Sequence, residues 1–270
     1  MIPPWINKYY VLDLNEKKSM VKWLVSQGYT VFIISWVNPD EAQKDETWAS
    51  YLQGASDAID RVLAETGQKQ THVASYCIGG TMAATLTAAL NRDGDIRIAS
   101  TTFFTSLVDF EDAGDLQVFV DDKTIDLVDE QMEKGYLPAE TMATAFNMLR
   151  SSDLVWSFVV SNYMLGRAPV PFDLLYWNAD STAMPAQVHH FYLDQFYTQN
   201  KFVKDTLEID GIPVLLGDIT VPVYHIATKD DHIAPAASVY GGARQMVSAD
   251  IRFVLAGSGH VAGVVNLAAA

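Results

Sequence analysis

Three observations predict an α/β fold: a mostly parallel sheet with helices on both faces, interrupted by a helical insertion. Helical and apolar strand-like patterns alternate from Asn15 to Phe104. The alternation breaks over residues 111–214, which read as helix, and resumes at Val221. The run His72-Val73-Ala74-Ser75-Tyr76-Cys77 ends on a nucleophile-type residue and is followed by two glycines, Gly79 and Gly80. Alternation of this kind builds parallel sheets, because each crossover helix must cover a face.

The elements follow in order. Pro3 to Tyr10 reads as a loop, and Asn15 to Gln27 as an amphipathic helix with Met20, Leu24 and Val25 on one face and Gly28 as its stop. Thr30 to Ser35 is continuously apolar, as a strand buried on both faces would be. Thr47 to Glu65 is a helix with Trp48, Tyr51, Leu52, Ala55, Ile59 and Val62 at helical spacing, a core face. Next come the strand Thr71–Ser75, a helix over Gly79–Asn91 and a strand over Ile96–Phe104. Within the insertion the most apolar parts are Leu154–Val160 and Phe172–Asn178. Val221–Ala227 and Asp250–Ala256 read as strands around a helix near Ala237–Gln245. The predicted division is a first core part at 1–110, a helical lid at 111–214, a second core part at 215–266 and a tail at 267–270.

Composition narrows the function classes. With 270 residues and 49% hydrophobic content, the chain can bury a large core. No run of about 18 apolar residues suggests a membrane span, and the start lacks the pattern of a signal peptide. A single cysteine excludes an internal disulfide and fits a cytoplasmic setting. The net charge of −15 argues against nucleic acid or an anionic membrane as partner. Six histidines and one cysteine show no metal-ligand spacing, so no metal or other cofactor is expected.

The chemistry-bearing residues stand at strand ends. The stretch Ser75-Tyr76-Cys77-Ile78-Gly79 has the strand–turn–helix form of a nucleophile elbow, with cysteine in place of serine and Ser75 in place of the first glycine. A lone cysteine is more often a small buried hydrophobe; what overturns that reading here is the order of two later residues. Asp231 follows the strand at Val221–Ala227, and His260 follows the strand at Asp250–Ala256. Nucleophile, acid and histidine in that order, each after an apolar run, is the triad sequence of α/β-hydrolase sheets. Asp230 reads as a solvated turn residue, His225 as a core histidine, and His232 equally as a functional histidine or a loop side chain.

At these segments the chain resembles the polyhydroxyalkanoate synthases. Their elbow, Gly-Phe-Cys-Val-Gly-Gly-Thr, is matched by Ser75–Thr81; their Arg-Glu-Asp-His-Ile-x-Pro-Trp by Lys229–Ala236; their Ser-Gly-His-Ile-Ala-Gly-Val by Ser258–Val264. Pro3–Tyr10 and Pro171–Asn178 agree as well, and the insertion looks like the class I type, which favours short-chain monomers. Ser75 and Ala236 depart from the family pattern. The resemblance also implies a catalytic-domain piece: members carry an N-terminal domain, a strand before the Pro-Pro loop that lies beside the elbow strand, and further sequence after His260. Leu267–Ala270 looks vector-derived.

The resemblance implies an α/β-hydrolase fold with a lid, and growth of a polyester from (R)-3-hydroxyacyl-CoA, 3-hydroxybutyryl-CoA above all, with release of CoA. It implies a cytoplasmic homodimer at the surface of polyester granules. Cys77 would be the nucleophile and His260 its base, with Asp231 either orienting His260 or activating the substrate hydroxyl. Ile78 N–H would be one oxyanion donor and the Asn7 region would supply the second. Tyr197 and His232 match positions that touch substrate, and Trp177 one near the site and the dimer contact. Two alternatives stand beside this: a cysteine-elbow esterase or thioesterase, and an inactive truncated fold.

Overall fold

In the computed structural model, residues 1–120, 128, 130–149, 156, 158–168, 173–247 and 249–265 are described. The central sheet contains β1 (Thr71–Tyr76), β2 (Ile98–Phe104), β3 (Val223–Thr228) and β4 (Ile251–Ala256). All neighbours pair parallel in the order β4-β3-β2-β1. The central strands β2 and β3 are covered on both faces and need no polar alternation, so they read as apolar or Thr-rich runs, whereas the edge strand β4 exposes Arg252 and Leu255. The described helices are α1 (Met20–Ser26), α2 (Trp48–Thr66), α3 (Ile78–Arg92), α4 (Ala139–Leu149), α5 (Asp173–Ala179), α6 (Ala186–Phe191) and α7 (Ala236–Gln245). Helix α6 continues as a π-helical turn over Tyr192–Thr198.

Helix α2 begins where the sequence places it. Thr47 and Ser50 form a capping box: Ser50 N–H donates to Thr47 Oγ1 at 3.2 Å and Thr47 N–H to Ser50 Oγ at 2.9 Å. Gly67, at φ 65°, ends it. The predicted stripe is buried from Trp48 to Ile59. Trp48 also stacks on Phe191 and Tyr192, with centroids 5.6 and 5.7 Å apart, so one core continues from the sheet into the helices that follow β2.

Two N-terminal expectations are corrected. Helix α1 starts at Met20 and not Asn15, because Asn15 Oδ1 accepts the Lys17 and Lys18 N–H groups and closes a turn first. Ser19 then caps the helix, accepting Lys22 N–H at 2.8 Å. The apolar segment 30–35 does not join the sheet. It bonds to Met1 instead: the Met1 amino group donates to Phe32 O at 2.6 Å and Ile34 N–H to Met1 O at 3.2 Å. Ile2 in turn bridges to Ser75 of β1. Beyond these two residues a cleft of about 1120 Å³, lined by Ile33, Ile59 and Val73 among others, separates the segment from β1. The cleft lies beside β1, where the resemblance puts a strand. Val25 of α1, expected inward, is therefore exposed.

Between β2 and β3 the expected helical character is observed in α4, α5 and α6, together with π-helical turns at Val159–Met164 and Tyr192–Thr198. Two short antiparallel strand pairs punctuate it, Tyr136–Leu137 with Met184–Pro185 and the hairpin of Glu208–Ile209 with Ile212–Pro213. Of the predicted apolar parts, residues 154, 155, 157 and 172 lie outside the described residues, as does the tail at 267–270.

Candidate active site

The elbow is built by strand register. Cys77 takes φ 55° and ψ −130°, a conformation side chains rarely adopt, which costs about 1–3 kcal/mol. The surroundings hold it there: Cys77 N–H donates to Phe104 O at 3.0 Å, and Gly80 N–H returns to Cys77 O at 2.8 Å as α3 begins. A Cβ on Gly79 would stand 2.5 Å from Ile2 O, so glycine is what lets the N-terminal loop pass against the start of α3. A Cβ on Gly80 would collide with Ser106. The hydroxyl introduced by Ser75, where the motif has glycine, donates to Thr102 O at 3.0 Å and is thereby satisfied.

The loops after β3 and β4 bring Asp231 and His260 together. Asp231 Oδ2 accepts from His260 Nδ1 at 2.8 Å. Oδ1 accepts the N–H groups of Ile233 and Ala234 at 2.9 and 2.8 Å, and Thr228 Oγ1 lies 3.3 Å from Oδ2. Both side chains are buried, 0% exposed for Asp231 and 5% for His260. Asp230, by contrast, is exposed. Tyr76 O–H donates to His260 O at 3.1 Å and fixes the glycine-flanked turn. His260 Nε2 is buried without a hydrogen-bond partner, at the cavity that Cys77 also lines.

Burial alone would raise the Asp231 pKa, but the His260 hydrogen bond and charge, with the two backbone donors, hold it below its ordinary 3.8. Burial also works against a charged His260. The Cys77 sulfur and the Asp231 carboxylate outweigh it and raise the imidazole from 6.5 to about 10. The depressed carboxyl contributes stability above pH 3.8 that fades as pH falls; the raised imidazole contributes below pH 6.5 and fades as pH rises through about 10. The pair should therefore stabilise most between about pH 4 and 6.5. Thermal midpoints of the parent and Asp231→Asn are expected to differ most in that window, and to differ less as pH falls below about 4 or rises toward about 10. A difference that is flat with pH would contradict the assignment.

The cavity at Cys77 is small, about 20 Å³. Cys77, Ile78 and His260 line it from the sheet side, Tyr192 and Tyr197 from the π-helical turn, and Ile6 from the N-terminal loop. Burial raises the pKa of both tyrosines, so both hydroxyls stay protonated near neutral pH. Tyr197 was singled out in the sequence; Tyr192 and Ile6 were not. A π-helix brings residues five apart onto one face, so this pair has no signal at 3.6-residue spacing.

Three more of the sequence-predicted residues are placed as follows. Ile6, and not Asn7, lines the cavity; Asn7 Nδ2 turns toward α5 and reaches Asn178 O and Ser181 Oγ, each at 3.4 Å. Trp177 is buried with Val11, Leu12 and Tyr76 in a cluster against which Cys77 packs, and its Nε1 donates to Lys8 O at 2.8 Å. His232 is half-buried, and its carbonyl accepts Asp115 N–H at 2.8 Å. His225 is a core residue, as read, with Nε2 3.2 Å from Ser106 O. Among the described residues no three His, Cys, Asp or Glu side chains are placed to hold a metal ion, and no helix is long and apolar enough to cross a membrane.

Comparison with known proteins agrees with this architecture. The chain is 52% identical over 266 residues to poly(3-hydroxyalkanoate) polymerase subunit PhaC of Rhizobium meliloti, covering 98% of this chain and 43% of that one. It is 51% identical to the poly(3-hydroxyalkanoate) polymerase of Methylorubrum extorquens (98% and 44% covered) and 42% identical to PhaC of Cupriavidus necator (98% and 46%). The chain thus spans less than half the length of these relatives. Among solved structures, a study of carboxylesterases of Nitrososphaera gargenis matches with TM-score 0.54 at 13% identity, covering 96% of this chain and 81% of that one. The monoacylglycerol lipase of Paleococcus ferrophilus matches with TM-score 0.54 at 12% identity, covering 96% and 84%. At such identities the structural likeness speaks for the fold alone. The profile of the alpha/beta hydrolase fold matches residues 8–267, and the chain belongs to that family.

Proposed function

We propose that this chain carries the acyl-transfer centre of a poly(3-hydroxyalkanoate) polymerase. The observation that supports it most is the Asp231–His260 pair at 2.8 Å, whose histidine lines the small cavity that the strained Cys77 also lines. An imidazolium beside the sulfur is the partner a thiolate nucleophile needs. The Cys77 thiolate attacks the thioester carbonyl of (R)-3-hydroxyacyl-CoA. A carbon–sulfur bond forms, and CoA leaves with a proton from His260. The hydroxyl of the growing chain then attacks the acyl-cysteine; His260 takes its proton, the new ester forms and Cys77 leaves as thiolate. The Ile78 N–H at the start of α3 supplies one oxyanion donor, and the loop at Ile6 and Asn7 the second.

The helices between β2 and β3 serve as the lid that keeps water from the acyl-enzyme, since hydrolysis competes with chain growth. Tyr197 and His232 are the substrate contacts in this reading, and Trp177 supports the wall behind Cys77. The working form is a cytoplasmic homodimer at the polyester granule surface.

The test supplies (R)-3-hydroxybutyryl-CoA and follows both free CoA and insoluble polymer. CoA release with polymer is the expected result. Free 3-hydroxybutyrate without polymer would replace this reading with a thioesterase, and a folded sample that releases no CoA would overturn it.

A further inference from the structure

A cavity of about 20 Å³ holds roughly one water, so no acyl group reaches Cys77 until a wall moves. The sheet-side wall is anchored in the core. Of the rest, Tyr192 belongs to the same core, and Ile6 and Phe146 of α4 form another part of the wall. These two pieces are far apart in sequence, yet they are joined. Thr182 N–H donates to Ile6 O at 3.0 Å, and Asn178 Nδ2 to Asn147 Oδ1 at 3.4 Å. At the centre is Asp180, just after α5. Its Oδ1 accepts Lys8 Nζ at 2.6 Å and its Oδ2 accepts Tyr10 O–H at 2.7 Å. One carboxylate thus grips two side chains of the loop that presents Ile6.

We propose that Asp180 is a positioning residue: through Lys8 and Tyr10 it clasps the Ile6 loop to α5, so that loop and helices move as one wall and the clasp sets access to Cys77. The inference stands on this geometry and does not require the acyl-transfer reading. Lys8 and Asp180 are 39% and 27% exposed. A pair so placed is weak enough to break during turnover, yet it contributes while closed.

Cys77 is the only cysteine, so alkylation by iodoacetamide, at a pH above the thiol's titration where access limits the rate, reports on Cys77 alone. Asp180→Asn, and separately the double variant Lys8→Met with Tyr10→Phe, are each expected to speed alkylation about fivefold or more. All three substitutions combined should be no faster than either, because they remove one shared clasp. Asp60→Asn removes the Arg97–Asp60 ion pair, which involves none of these residues, and should leave the rate within about twofold. Thermal midpoints recorded alongside identify any variant that fails to fold. Rates within about twofold of the parent in both folded clasp variants would overturn the proposal, as would equal acceleration by Asp60→Asn. A chain inert toward acyl-CoA that still shows accelerated alkylation would refute the acyl-transfer reading and leave the clasp standing.

Discussion

Cys77→Ala is expected to abolish CoA release from (R)-3-hydroxybutyryl-CoA, with a loss of at least about 10³-fold. The size follows from the role: without sulfur no acyl-enzyme forms, and neither oxyanion donors nor His260 can supply the missing bond. The fold should survive. Cys77 is half-buried, and trimming it to alanine removes one atom from the edge of a packed cluster. The thermal midpoint should move by only a few degrees, corresponding to roughly 1 kcal/mol. Parent-like turnover in the alanine variant would remove Cys77 from the mechanism.

Asp231→Asn should lower enzyme acylation and chain growth together, each by about 10²–10⁴-fold. The sequence left two roles open for this carboxylate: orienting His260 or activating the substrate hydroxyl. The geometry favours orientation. Oδ1 is taken by Ile233 and Ala234 N–H, and Oδ2 by His260 with Thr228 close by. The side chain is sealed from solvent, so no lone pair is left open to an incoming hydroxyl. Asparagine would present an N–H₂ or a neutral oxygen to Nδ1, and the ring would lose both its tautomer and its charge partner. Single-turnover acylation by mass, set against polymer growth, separates the roles. Loss confined to polymer growth would assign Asp231 to the hydroxyl.

Much of this was legible in the sequence because it depends on local pattern. A capping box at Thr47 and Ser50, glycines after Cys77 and apolar runs before Asp231 and His260 each fix nearby backbone, and the structure agrees at each. Of the two adjacent aspartates, Asp231 bonds His260 while Asp230 is exposed. What pattern missed depends on distant partners. The segment 30–35 has the composition of a buried strand, but a strand needs hydrogen-bonded neighbours along its length, and among the described residues its backbone is bonded only to Met1, with the cleft beyond. Tyr192 reached the cavity through a π-helical turn, whose spacing differs from that of an α-helix. The motif points to the loop around Asn7 but not to where the Asn7 side chain goes; the partners of its Nδ2 come from residues more than 170 positions away.

The central claim is that Cys77 carries the acyl group in a thioester before a hydroxyl receives it. The most direct measurement is the intact mass and peptide map of the protein quenched with acid shortly after mixing with (R)-3-hydroxybutyryl-CoA. The account predicts a 3-hydroxybutyryl adduct on the peptide containing Cys77, labile to hydroxylamine and absent from Cys77→Ala. CoA release with the adduct on another residue, or with no adduct on Cys77 at any time during turnover, would contradict it.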